Sequence, residues 1–287
     1  MRFQWVQRSV LPGFGLTMGI TIVYLGLIVL IPLVALFLRL NGMNAADFWR
    51  TISHPDVIAA LKLTFGLSFL AASINAVFGF IVAWVLIRYT FPLKRLMDAM
   101  VDLPFALPTA VSGIALTELY TKTGWIGRWL PYEVSYTNWG IMIALVFIGL
   151  PFVVRTVQPA LLEMEKELEE VSASLGAGRL QTFRYVIFPT VRPALVTGFS
   201  LAFARALGEY GSVIFIAGNQ QGKPVVVSRL IMVNLEQFKY QEAISIAFLM
   251  LVVSFLLILV INLVQVWGSW RFSKTTGGKT AQTNLSK

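Results

Sequence analysis

The segment LTMGITIVYLGLIVLIPLVALFL, residues 16–38, runs for 23 residues without one charged side chain. About 20 apolar residues in a helix cross the hydrocarbon core of a bilayer. Inside lipid the backbone has to satisfy its own hydrogen bonds, which leaves helices and closed barrels as the spanning forms. Five further apolar segments follow, at about 63–87, 100–120, 139–154 (extending as helix toward Gln158), 194–217 and 243–267. Hydrophobic residues make up 57% of the chain and charged residues only 13%, about half the charged share of a soluble domain. The expectation is an all-α integral membrane protein with six transmembrane helices. The first segment is expected to stay in place as a span, because its apolar run exceeds a signal-peptide core and no small-residue cleavage site follows.

Basic residues set the topology. Of 23 lysines and arginines, fourteen lie at the N-terminus, in 88–95, in 155–192 and in the tail; eight lie in 39–62, 122–128 and 223–239. By the positive-inside rule the first set is cytoplasmic, and with it both termini. The expected layout is a cytoplasmic segment 1–15, a six-span domain 16–270 and a disordered cytoplasmic tail 271–287. The net charge of +9 is then explained by span ends that touch lipid headgroups, and nucleic acid is not the expected partner. Trp125, Trp129 and Trp139 fall near span ends as interface anchors.

Several chemistries are excluded by residue type. The chain has no cysteine, so it holds no disulfide, thiolate metal site or cysteine nucleophile. Its one histidine, His54, stands beside Pro55 in a short polar loop and reads as surface. GGKT at 277–280 mimics the end of a phosphate loop, but Ser273 occupies the position of the required glycine. The sequence contains no nucleophile–base set and no metal-ligand spacing, so no catalytic residue is assigned.

One segment is too polar and too long to be a turn: EEVSASLGAGRLQTFRYVIFPTVRPAL, residues 169–195, within a loop of about 160–193. Leu161, Met164, Leu168, Val171 and Leu175 recur at steps of three and four, the period of one helical stripe. Gly176 and Gly178 can end that helix. A second short stripe, Leu180, Phe183 and Ile187, is expected to stop at Pro189 and Pro193. The pattern allows two readings, helices lying on the bundle's own ends or a corner that inserts into another protein.

The spacing of Glu170, Gly176 and Pro189 resembles the EAA loop of ATP-binding-cassette (ABC) importer permeases, with Val171 and Ser172 in place of the two alanines. VLPGFGLT, DLPFALPTAVSGIAL, LPFVVRTVQPAL and ALGEYGSVIFIAGN extend the resemblance over nearly the whole chain, toward sulfate/thiosulfate permeases and within them the T-type subunit. The resemblance implies the type I importer architecture, a bacterial-type inner membrane location, and a coupling helix that docks on an ATPase. Glu170, Ala173, Gly176, Ala177, Phe183 and Pro189 would form that contact. It implies as partners a homologous W-type permease, two copies of the ATPase, which would carry the ATP and magnesium, and a periplasmic binding protein. No cofactor is expected in this chain. Molybdate or tungstate permeases share a looser form of the fifth-span motif.

Ionisable groups inside spans are costly, which singles out Arg205 and Glu209, four residues apart in the fifth span. They are expected on one helix face, as a buried pair or as part of a gate. Arg before Glu is the weaker order for a helix pair. Thr109 and Ser112, after Pro104 and Pro108, are candidate pathway hydroxyls. Gly208, Gly211 and Gly218 suggest close helix approach. Asp98 and Asp102 suit a helix start and carry no assigned chemistry. A gradient-driven secondary transporter is the rival class, and it would want ionisable relays in several spans.

Overall fold

A computed structural model describes residues 14–40, 42–218 and 225–280, side chains included except for Lys166 and 264–280. Every regular element among them is helical. The first span is α1 (Phe14–Leu25) and α2 (Ile31–Leu40), joined by a π turn, Gly26–Leu30. The short α3 (Ala45–Ile52) follows, its first turn capped by the Asn44 side chain, which accepts from the Ala46 N–H.

The fold is carried by a triangle of α4 (Pro55–Arg88), α8 (Asn138–Glu163) and α11 (Phe188–Leu207). The 34 residues of α4 reach about 50 Å at 1.5 Å per residue. Pro55 starts it where a missing N–H costs nothing, and His54 Nδ1 accepts from the Asp56 N–H at 3.4 Å. The lone histidine is thus a helix cap.

Small residues let the three helices close up. A Cβ on Gly79 of α4 would lie 2.9 Å from Cβ of Val153 on α8, and one on Gly198 of α11 would lie 2.9 Å from Cα of the same valine. Val153 is fully buried between them with Ala72, Ala83, Val157 and Ala202. Outward faces are apolar and bare, as lipid-facing helices are; α1 and α2 bury no residue.

Three expectations need correction. The expected third span, 100–120, is not one helix: after α5 (Lys94–Val101), which lies almost wholly before it, come α6 (Leu103–Ala106) and α7 (Thr109–Tyr120). Pro104 starts α6, and Leu107, held extended before Pro108, ends it. Among the described residues five helices are each continuous, long and apolar enough to cross a membrane, and the third of the six spans crosses in pieces. The fifth span likewise ends at Leu207, and the chain resumes as α12 (Gly211–Ala217). Its N-terminal side is longer than expected: α10 (Arg179–Thr182), a π turn (Phe183–Ile187) and α11 form one rod, and Pro189 and Pro193 sit inside it. Pro189 lies in the first turn of α11, where its missing donor is harmless, and the π turn just before it absorbs the misfit.

The end of the bundle where α4 begins is closed by α13 (Val227–Glu236) against the start of α14 (Tyr240–Thr280). The last helix continues into the tail expected to be disordered; the remainder of that tail, 281–287, and most of the N-terminal segment, 1–13, lie outside the described residues.

Candidate functional site

The loop of about 160–193 begins with a break that the sequence stripe hides. Helix α8 ends at Glu163, Met164 and Glu165 turn the chain in extended conformation, and α9 (Lys166–Ser174) starts afresh. The expected single stripe is therefore divided. Leu161 and Met164 are buried in the bundle core, while Leu168, Val171 and Leu175 are exposed. Hydrophobic periodicity continues across the break because both halves are helical, and the register conceals the joint.

The glycine corner closes by backbone geometry. Gly176 has φ +83°, a conformation open to glycine at little cost. Its N–H donates to the Ala173 carbonyl at 2.9 Å, and the Ala177 N–H donates to the Ser172 carbonyl at 3.0 Å. These two bonds are the Schellman pattern that ends a helix at a left-handed residue. Beyond it the Gly178 N–H donates to Gln181 Oε1 at 2.8 Å and opens α10. The Ser172 and Thr182 hydroxyls meet at 2.9 Å across the corner. Since Ser172 already donates to the Glu169 carbonyl, Thr182 is the donor of that bond.

Of the expected docking residues, Glu170, Ala173 and Gly176 are exposed, and Ala177 and Pro189 are partly so. Phe183 turns inward, its ring 5.9 Å from that of Phe80 on α4. Glu169, to which the sequence assigns no role, sits with Oε1 2.6 Å from Arg88 Nη2. The corner thus presents an apolar outer face, Leu168, Val171, Leu175 and Leu180, on a frame held from within.

The second cluster lies where the third and fifth spans break. The N-terminal turns of α7 and α12 pack side by side: a Cβ on Gly113 would come 2.5 Å from the Ser212 carbonyl oxygen, and one on Gly211 would strike the Thr109 hydroxyl. Of the three glycines expected at helix contacts, Gly211 and Gly218 are crowded, the latter against the Tyr136 ring at φ +66°, and Gly208 faces open space. Arg205 and Glu209 do pair, Nη1 to Oε2 at 2.6 Å. They do not share a helix, because α11 ends at Leu207, and the helix-pair ordering rule has no hold on them. Arg205 instead lies in the last turn of α11, where a cation suits the helix dipole.

Glu209 is almost wholly buried, with side-chain exposure of 2% against 34% for Arg205. Its Oε1 accepts from the Ser212 N–H at 2.9 Å and from the Ser212 hydroxyl at 3.1 Å. Its carbonyl accepts from Ser228 of α13 at 2.9 Å. The carboxylate is fixed and the guanidinium is its accessible partner. Thr109 is half-buried beside Gly211, and Ser112 is buried, donating weakly to the Pro108 carbonyl at 3.4 Å.

A third polar group has no counterpart among the sequence expectations. Arg155 of α8 is clamped by the two aspartates that had no assigned role: Nε and Nη2 donate to Asp102 at 2.8 and 2.6 Å, and Nη1 donates to Asp98 at 2.7 Å. Nη1 also donates to Gln158 Oε1 at 2.7 Å. Burial pushes the Asp98 carboxyl upward, but hydrogen bonds from Arg155 and Gln158 and the charges of Arg155 and Lys94 outweigh it, and the carboxyl is held below its ordinary range. The available signal was the spacing: two carboxylates four apart repel on a helix and call for a cation between them. The described residues contain no cluster of three potential metal ligands.

The sequence pattern of the family described as binding-protein-dependent transport system inner membrane component matches residues 75–274. The chain belongs to this family. As a permease of this kind it has relatives similar over nearly their full lengths. It is 48% identical to the sulfate transport system permease protein CysT of Salmonella typhimurium over 262 residues, which is 90% of this chain and 95% of that one. Identity to the Escherichia coli K12 protein of the same name is also 48%, over the same shares of each chain. The Synechococcus elongatus protein of that name is 45% identical, over 94% of this chain and 96% of its own.

Among solved structures, the bacterial alginate ABC transporter in complex with a periplasmic protein bound to an alginate pentasaccharide superposes with a TM-score of 0.67. Identity there is 18%, over 86% of this chain and 91% of that one. The inward-facing MetNI methionine ABC transporter gives a TM-score of 0.58 at 18% identity, over 79% and 99%. At such identities these two establish the importer-permease fold alone. The resemblance read from the sequence, to the T-type sulfate permeases, is borne out by the CysT relatives.

Proposed function

We propose that this permease is the translocating half of an ATP-driven importer for sulfate or thiosulfate, working by alternating access. The observation that carries this reading is the loop 164–189: anchored in the bundle at Met164 and Ile187, closed by the Gly176 corner, and bare and apolar along Leu168, Val171, Leu175 and Leu180. A face built that way accepts a groove on another protein. The relatives' names supply the substrate class.

In this reading both termini are cytoplasmic, and the corner around Glu170, Ala173, Gly176 and Ala177 docks on one of two ATPase copies that hold the ATP and magnesium. A homologous W-type permease completes the channel, and a periplasmic binding protein delivers the anion to the outer loops. Sulfate stripped of water needs N–H, hydroxyl or cationic partners. Arg205, half-buried in the last turn of α11 and tied through one nitrogen to a fixed carboxylate, supplies that chemistry, and Thr109 beside Gly211 adds a hydroxyl.

Native mass spectrometry of the tagged protein from its own membranes, followed by labelled sulfate uptake in liposomes, tests the reading. One copy of this chain with a different permease and two ATPases, and ATP-dependent uptake blocked by excess thiosulfate, is the expected result. Uptake blocked by molybdate but not by thiosulfate would move the substrate to that oxyanion. Recovery without an ATPase, with uptake driven by an ion gradient, would overturn the proposal.

A further inference from the structure

We infer that Arg88 and Glu169 are positioning residues that transmit movement of the docking loop to α4. The inference rests on the docking role proposed above and adds the connection through which docking is felt by the spans.

Phe80, Trp84 and Arg88 stand four residues apart and so form a ladder on one face of α4. The Phe80 and Trp84 rings are 6.0 Å apart, and the Arg88 guanidinium carbon lies 5.5 Å from the Trp84 ring centre. Each end of the ladder grips a different half of the loop. Phe80 meets Phe183 of the π turn edge-on at 5.9 Å, and Arg88 meets Glu169 of α9 at 2.6 Å.

The ion pair is not a loose surface contact. The Arg88 side chain is 10% exposed and that of Glu169 30%, so solvent screens it less than an exposed pair. Nor is it fully latched. Arg88 Nη2 and Glu169 Oε1 touch, yet neither has an aligned hydrogen-bond partner, and Arg88 Nε is buried without one. A rotation of α9 that lines up the N–H with the carboxylate would gain a charge-assisted bond. The loop position and the bond geometry are therefore linked. Helix α9 otherwise packs on α10 and the π turn, where Ser172 meets Thr182, so Arg88 is its polar tie to α4.

Movement of Arg88 reaches the outer face through one rigid element. From Arg88 to Thr64 is about 36 Å of continuous helix at 1.5 Å per residue. There the Thr64 hydroxyl accepts from the Val227 N–H at 2.9 Å and holds the start of α13. Asp56 and Val57, at the far end of α4, line an outer cavity of 790 Å³ together with α13 and α14.

The test is uptake per ATP hydrolysed, measured on the assembled transporter in liposomes for Glu169→Gln, Arg88→Gln and the exchanged pair Arg88→Glu with Glu169→Arg. Both single variants are expected to keep the ATPase attached and to hydrolyse ATP, with uptake per ATP reduced about five- to tenfold, the lower range of allosteric couplings. The exchanged pair is expected to recover most of the loss, and the ATPase binding and hydrolysis kept by the single variants separate lost transmission from a disordered loop. Wild-type uptake per ATP in the single variants, or failure of the exchanged pair to restore it, overturns the inference while docking stands. An ATPase that stays bound to an Ala173→Trp variant with normal uptake would sink the docking role, and this inference with it.

Discussion

Gly113 of α7 and Ser212 of α12 approach so closely that a Cβ on the glycine would fall 2.7 Å from the Cα of the serine. Backbone meets backbone there, so no rotamer change can make room. Gly113→Leu is expected to part the two half-helices and to cost at least the roughly 1–3 kcal/mol of an overpacked core. Loss of thermal stability in detergent, with loss of uptake, checks it; Gly208→Leu, facing open space, is the control expected to retain the fold.

Gly176 holds the corner at φ +83°, with nothing within 4 Å of the point a Cβ would occupy. The cost of replacing it is therefore conformational and not steric. Gly176→Ala is expected to destabilise the loop by about 1–2 kcal/mol, the penalty for a left-handed non-glycine residue. Gly176→Asn is expected to cost less, because asparagine visits that conformation more readily. Protection of the α9 amides from hydrogen exchange would rank the variants.

The Arg155 clamp is partly exposed, its three charged side chains retaining 31%, 44% and 48% of their surface. Its contribution is accordingly modest, and Arg155→Ala is expected to lower stability by about 1–2 kcal/mol after allowing for solvent. The pH dependence has a definite sign. Asp98 is held below its ordinary value of 3.8, so its stabilising effect is complete above that value and is lost as pH falls through the lowered pKa. The stability gap between wild type and Asp98→Asn is expected to narrow only in that acid range, as followed by unfolding at a series of pH values.

Glu209 has two anchors, Arg205 on one oxygen and Ser212 on the other. Arg205→Ala leaves the second in place and is expected to cost about 1–3 kcal/mol, less than an orphaned buried charge. Ser212→Ala keeps the backbone N–H and is expected to cost less still. The double variant should exceed the sum of the two, because the carboxylate then retains one bond. A thermal double-mutant cycle on the detergent-solubilised protein measures the coupling.

Long apolar segments are legible because lipid leaves a spanning chain few options, and five of six expected spans have a continuous helix. The third and fifth differ from expectation for one reason: hydropathy records the surroundings of a segment, not whether its backbone is unbroken. Pro104 and Pro108 do announce the first break. At Gly208–Tyr210 the sequence offers one glycine and an apolar neighbourhood, too little to end a helix on paper. The loop's frame can be read from Glu170, Gly176 and Pro189, since the corner depends on a local conformation. Its tether cannot. Arg88 and Glu169 are 81 positions apart, and Arg155 is 53 from Asp102. No local period records such pairings.

The joint at Met164 and Glu165 has a consequence for how such a chain can change over time. Residues before it answer to the bundle, and the exposed residues of α9 beyond it answer only to whatever they touch outside. On the docking proposed above, substitutions at Leu168, Val171 or Leu175 can accumulate without endangering the fold, provided the docked protein changes in step. The loop is free to drift with its partner, like a key recut for a lock while its bow stays the same.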